Sequence, residues 1–254
     1  MFKRINLFLA VMFMVSVAFA ASAADKVILQ YAPKAGTTVK YKMSINGNTI
    51  VTAYQKANKQ NLTTDMTIQQ KITGVDKEGN VDIETTVLNG TITVNDTPTT
   101  VPNMGQIINV KMAKDGRIIS QSGAGADQNM NQMQIQFPTK AVSVGDKWTS
   151  KIEANPSMPI PMETTYTIVG FEKVAGRDCA KIKSEVKSVQ PSSGSVNLQV
   201  SADGFIWFAY KDGYMVRNEV KSKMRMIMEN DLGGGKKEKI ETRMELALKM
   251  DLTK

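Results

Sequence analysis

The chain has 254 residues, 42% of them apolar and 22% charged, with a formal net charge of +8. That balance excludes a disordered, collagen-like or polytopic membrane chain. The lack of His and the presence of a single Cys, Cys179, exclude imidazole general bases, His or Cys-rich metal sites and any intrachain disulfide.

In chain order, the first element is a leader. Lys3 and Arg4 precede an apolar run from Ile5 to Ala20, and the small residues of Ala21-Ser22-Ala23 follow. This is the pattern of a secretory signal peptide over residues 1–23. It predicts a periplasmic or secreted bacterial protein with no integral membrane span after cleavage. The apolar run is short for an uncleaved anchor.

Beyond the leader, apolar residues recur with period two, the signature of strands with one covered face. Val39, Tyr41, Met43 and Ile45 alternate with Lys40, Lys42 and Ser44. Met66, Ile68 and Ile72 continue the pattern, followed by Val81, Ile83 and Val87. Turn chemistry separates the runs at Asp76–Gly79, Lys114–Gly116, Lys211–Gly213 and Gly233–Gly235. One segment reads as helix. Asp127 caps residues 128–136, Met130, Met133 and Phe137 share a face turned inward, Asn129, Gln132 and Gln136 face water, and Pro138 stops it. Ser120–Gly125 reads as a flexible lead-in. The last alternating run places Ile240, Met244, Leu246, Leu248, Met250 and Leu252 on one face.

The two halves overlay. Ile72-Thr-Gly-Val-Asp-Lys77 parallels Ile168-Val-Gly-Phe-Glu-Lys173, and Lys114-Asp-Gly116 parallels Lys211-Asp-Gly213. The prediction is an all-β fold with one short helix: a long curved antiparallel sheet or half-barrel of two related meanders. Residues 24–137 form the first and 138–254 the second, packed as one domain because no flexible linker divides them. Across the join runs Pro138-x-x-x-Val142-x-Val144-Gly145-Asp146-x-Trp148. This motif resembles that of a bacterial family of exported proteins of unknown function, in which a Val-Gly-Asp-x-Trp signature and a duplicated meander recur. More loosely, the architecture is similar to the half-barrel of periplasmic lipoprotein carriers. The resemblance implies a fold and transfers no catalytic residue.

Methionine is the compositional excess, with 17 in the chain. Met224, Met226 and Met228 share one strand face. Thioethers there fill an irregular β core or line an adaptable apolar pocket, whereas Cu(I) binding lacks a supporting His or second Cys. The ligand-binding candidates are therefore Met130, Met133, Phe137, Met224, Met226 and Met228. Trp148 reads as a cover over the end of the core, Trp207 as part of a strand covered on both faces, and Cys179 as a buried thiol. No nucleophile elbow, S-x-x-K context or phosphate loop stands in the sequence, so no catalytic residue, metal or cofactor is assigned. Basic residues are scattered without interleaved aromatics, which argues against nucleic acid. The leading expectation is a non-enzymatic exported binding module for a lipid-like or hydrophobic ligand. The alternative is an envelope assembly protein acting through protein–protein contacts.

Overall fold

A computed structural model describes residues 26–123, 134–154, 160–189, 196–231 and 237–253. Twelve strands form one antiparallel sheet. The first group is β1 (Thr38–Ala53), β2 (Lys56–Val75), β3 (Val81–Val94), β4 (Thr97–Thr100), β5 (Ile107–Met112) and β6 (Ile118–Gly123). The second is β7 (Lys147–Ile152), β8 (Met162–Val174), β9 (Arg177–Ser188), β10 (Val196–Ala209), β11 (Tyr214–Asp231) and β12 (Lys237–Leu252). The spatial order is β6-β5-β3-β2-β1-β12-β11-β10-β9-β8-β7, with β4 added beside β3. Neighbouring strands are sequence neighbours throughout, except at the centre, where β1 pairs with β12, and where β5 lies directly on β3. The fold is all-β, and the sheet does not close into a barrel.

Turn residues set the register. Asp76 starts the β2–β3 turn by accepting the backbone N–H groups of Glu78 and Asn80. Two hairpins use successive positive-φ positions without Gly, at Tyr54-Gln55 and Asn95-Asp96, and Ala175-Gly176 turns β8 into β9. Paired left-handed residues match the twist of the flanking strands, which is why these loops need only two residues. Ladder shifts occur at Ile72/Gly74 in β2 and at Ile168/Gly170 in β8. Such bulges bend a strand and raise its twist.

The sheet curls tightly. If flat, β6 and β7 would stand ten strand spacings apart, about 48 Å at ~4.8 Å per spacing. Yet adjacent residues of one inserted segment touch both wings: the Phe137 N–H donates to Asp115 O in the β5–β6 turn, and Trp148 Nε1–H of β7 donates to Gln136 O. Two glycines facing the inside allow the bend. A Cβ at Gly47 would lie 2.4 Å from Glu245 O, and one at Gly204 would lie 2.1 Å from Glu219 O. Only a residue without Cβ lets the neighbouring backbone come so close.

The core occupies the inner face at one end of the strands. Two segments outside the sheet fill it. Residues 27–33 contribute Leu29 and Tyr31, and residues 134–142 contribute Ile135, Phe137 and Val142. They pair with each other through Val27 and Val142. Both wings meet them, with Val81, Ile83 and Val110 on one side and Ile168, Ile182 and Phe208 on the other.

The expected helix at 128–136 is corrected over its described residues, 134–136. Among the described residues there is no helix, and Gln134–Phe137 are bent or extended. Residues 128–133, including Met130 and Met133, lie outside the described residues. Gln136 does not face water: it is half-buried, and its Oε1 accepts a hydrogen bond from Ser150 at 2.9 Å. The physical reason is the tie across the wings, which uses backbone groups that a helix would have engaged internally. Ser120–Gly123 is strand, paired with β5, rather than a flexible lead-in. No helix among the described residues is long and apolar enough to cross a membrane.

Candidate functional site

The inner face divides into a packed near end and a barer far end. At the near end Phe208 is fully buried, with its ring centroid 4.6 Å from that of Phe137 and 5.3 Å from that of Tyr31. Tyr31 N–H donates to Lys114 O, and its hydroxyl accepts the Ile135 N–H at 3.2 Å. Phe137, a sequence candidate for ligand contact, is thus a core residue that locks the plug. Trp148 stacks on Tyr166 with centroids 5.1 Å apart, as a cover over the core's edge. Burial pushes the Tyr166 hydroxyl up to about 12, and it raises Tyr31 and Tyr41 as well. These phenols stay neutral across the physiological range. They serve as packing and hydrogen bonding groups, as when the Tyr41 hydroxyl donates to Met215 O at 2.9 Å.

Between plug and open face lies a cavity of about 100 Å³, lined by Tyr31, Tyr41, Ile68, Thr85, Met112 and Met250 among others. That volume is below what a drug-sized ligand needs. The Thr85 hydroxyl faces it, buried and without a hydrogen-bond partner. Asn218 Oδ1 is likewise buried and unpartnered on β11, opposite Met250 in the chain of register pairs.

Farther along, the strands continue past the plug. Register pairs place Ile240 opposite Met228, Thr242 opposite Met226 and Met244 opposite Met224. On the other side Met244 faces Thr49, and Leu248 faces Ile45. Directly paired residues of an antiparallel ladder share a face. These side chains therefore form one apolar floor with Leu246 and Val220, continuous with the core face through Met43 and Met250. All of these floor side chains are half-buried rather than buried, unlike their near-end counterparts. The structure brings Met224, Met226 and Met228 together on this floor and separates them from Phe137, which sits in the plugged end.

Sequence reasoning missed Glu238. Its carboxylate is 9% exposed at the far end of β12, where Oε1 accepts the Tyr54 N–H and Oε2 has no hydrogen-bond partner. Its position two residues before Ile240 in an alternating run was the available signal. It also missed residues 27–33 as core fillers, although Val27, Leu29 and Tyr31 alternate.

The opposite face is polar and laced with ion pairs, such as Arg217–Asp251 at 2.6 Å and Arg225–Glu241 at 2.6 Å. Trp207 lies on it, covered by Lys181 at 5.0 Å and by Arg217 at 5.6 Å, with its indole N–H on Glu172. Cys179 is buried under the same patch, and burial pushes its thiol up, away from the reactive thiolate. Ile206 and Phe208 join the inner core while Trp207 and Ala209 join this outer cluster, so β10 is covered on both faces. No cluster of His, Cys, Asp and Glu able to hold a metal occurs among the described residues.

No protein-family model matches the chain, and no curated protein matches it. Solved structures do. A lipovitellin, the subject of a study of lipid–protein interactions, aligns with a TM-score of 0.51 at 9% identity, over 87% of this chain and 25% of its own. The chain thus spans a quarter of that protein's length, and the likeness is one of fold. A protein from Bacteroides fragilis described as exported, with a YmcC-like fold, aligns over 89% of this chain and 100% of its own at 13% identity and a TM-score of 0.25. A DUF1329 family protein from Desulfovibrio piger aligns over 85% of this chain and 83% of its own at 11% identity and a TM-score of 0.21.

Proposed function

We propose that this protein is an exported, non-enzymatic binding module that holds a lipid-like or hydrophobic ligand against the far half of its inner face. One observation carries the reading. The apolar floor that is sealed by the plug at the near end runs on as half-buried Met224, Met226, Met228, Met244, Leu246 and Leu248 at the far end. Extended exposed apolar surface is costly in water and marks interaction sites. Methionine suits the task because its flexible thioether adapts to varied apolar shapes. The shared fold with lipovitellin, whose lipid–protein interactions have been studied, supports the same class of ligand. The basic n-region and apolar run of residues 1–23 support export to the periplasm. The Pro138–Trp148 motif supports membership of an uncharacterised bacterial family with a duplicated meander.

The test is native mass spectrometry and lipid extraction of protein recovered from the periplasm with its own leader. An apolar small molecule should co-purify, and Met226→Asp should abolish its retention. A protein that carries no ligand and takes up no hydrophobic probe at the far end would overturn the reading.

A second reading has one specific observation in its favour. Edge strand β6 carries no charged residue and exposes Ile119, while the other edge, β7, is guarded by Lys147 and Lys151. Unguarded edges invite strand addition, so an envelope protein partner would dock there. Crosslinking from a photoreactive residue at position 119 would capture that partner.

A further inference from the structure

We propose that the far rim receives the ammonium group of a cationic amphiphile, with the free oxygen of Glu238 as its acceptor and the methionine floor beneath its chain. This rests on the reading that the far inner face holds an apolar ligand, and it names the ligand's head group. Along the far half of the sheet, the described inner-facing positions of β1, β2, β3, β10, β11 and β12 carry only two charged residues. They are Glu238 on β12 and Lys56 at the head of β2. Lys56 is exposed in the β1–β2 turn, whereas Glu238 is nine-tenths buried.

A carboxylate in that position is expensive unless both oxygens meet donors. The Tyr54 N–H satisfies Oε1. The exposed Tyr54 phenol lies against the same carboxylate, which raises that phenol above its ordinary value, so this turn holds the side chain in place. Oε2 remains without a partner. A primary ammonium supplies what is missing, an N–H donor and a compensating charge, in a charge-assisted hydrogen bond. A carboxylate or phosphate would meet like charge there, and a hydroxyl would supply the donor without the charge. From Glu238 the floor steps through Ile240 and Thr242 to Met244, with Met228, Met226 and Met224 alongside the last three. Six residues of strand span roughly 20 Å, enough for an acyl or alkyl chain to lie along the floor.

Isothermal titration calorimetry with the full chain tests this, using dodecylamine, dodecanol and dodecanoate below their micellar concentrations. The wild type should bind dodecylamine at least about tenfold more tightly than either of the others, the worth of one charged hydrogen bond. Glu238→Gln keeps an acceptor for Tyr54 and should erase that advantage while leaving dodecanol affinity unchanged. A melting temperature no lower than that of the wild type would certify the variant's fold. Equal binding of the three amphiphiles, a preference for dodecanoate, or an amine preference that survives in Glu238→Gln would each overturn the head-group assignment and leave the apolar site standing. Failure of all three to bind would overturn the apolar site as well.

Discussion

At the near end of the sheet, Leu29, Tyr31, Ile135, Phe137 and Val142 lie on the inner face, and the strand residues beneath them are buried. At the far end the same strands continue with the same alternation, yet Met224, Met226, Met228, Met244, Leu246 and Leu248 are only half-buried, with Leu198, Thr64 and Glu238 as buried exceptions on that face. Strand chemistry is alike at both ends, since both read as apolar residues every second position. The difference comes from chain that is not strand. Two inserted segments of fewer than ten residues each convert one half of a curled sheet into a core and leave the other as a floor. Such a division lets stability and binding reside in different places, so that a surface kept open for a ligand need not weaken the fold.

The largest effect expected from this contrast is in the plug. Phe208→Ala removes a fully buried ring from the Tyr31–Phe137 cluster and should cost about 3–5 kcal/mol in urea unfolding. Met226→Ala, the matching truncation at the far end, should cost less than about 1 kcal/mol because its side chain is already half-exposed. If the two losses were similar, the division into core and floor would fail. Second in size is the bend itself. Gly204→Ala drives a Cβ to 2.1 Å from Glu219 O, which the strand relieves only by flattening. A loss of about 1–3 kcal/mol should follow, with altered uptake of a hydrophobic probe because the floor changes curvature. A variant of wild-type stability would show that the curl does not depend on close backbone approach.

Third is the tie between the wings. Gln136→Ala deletes the side-chain bond with Ser150 and keeps the backbone acceptor for Trp148. It should cost about 1 kcal/mol, and hydrogen exchange should quicken in β7 while the far halves of β11 and β12 are unaffected. Faster exchange at the far end instead would mean that the two ends are mechanically coupled.

How much of this was legible in the sequence depends on the range of the interaction concerned. Alternation placed the inner faces of β1 and β12, and Lys114–Gly116 and Lys211–Gly213 marked turns, because those signals are local. Tyr54-Gln55 turns a hairpin with no Gly, and its neighbours in the register impose the positive φ rather than its own chemistry. The helical reading of 128–136 fails over the described residues 134–136, where the Ile135 and Phe137 N–H groups and the Gln136 carbonyl are engaged by Tyr31, Asp115 and Trp148. Docking between two sheet wings overrides weak helical propensity over so short a stretch. Glu238 looked like one more charge near a glycine-rich loop. Its burial follows from the β1–β2 turn folding against it, a contact separated by 184 residues in sequence.

The smallest effect concerns two carboxylates, one at each end. Asp76, at the near end, has both oxygens engaged: Oδ1 accepts from Glu78 and Asn80 N–H, and Oδ2 from Asn80 Nδ2 and Lys111, the latter at 2.9 Å. The Asn80 amide first and the Lys111 ammonium second hold its carboxyl far below the usual carboxylate range. A folded value below the unfolded one means the turn's contribution is fully present above the ordinary carboxylate range and is lost as pH falls through that range toward the folded value. Asp76→Ala should therefore lower the melting temperature at pH 7, and the gap between variant and wild type should narrow steadily below about pH 4. Because the Asp76–Lys111 pair is partly open to solvent, the gap should also shrink in high salt. A gap independent of pH would assign the loss to the turn's shape rather than to its charge. Glu238, by contrast, keeps one oxygen unengaged at the open end. Glu238→Gln removes the uncompensated charge and keeps the Tyr54 acceptor, so the melting temperature should be no lower than that of the wild type. A clear fall would assign Glu238 to holding the turn.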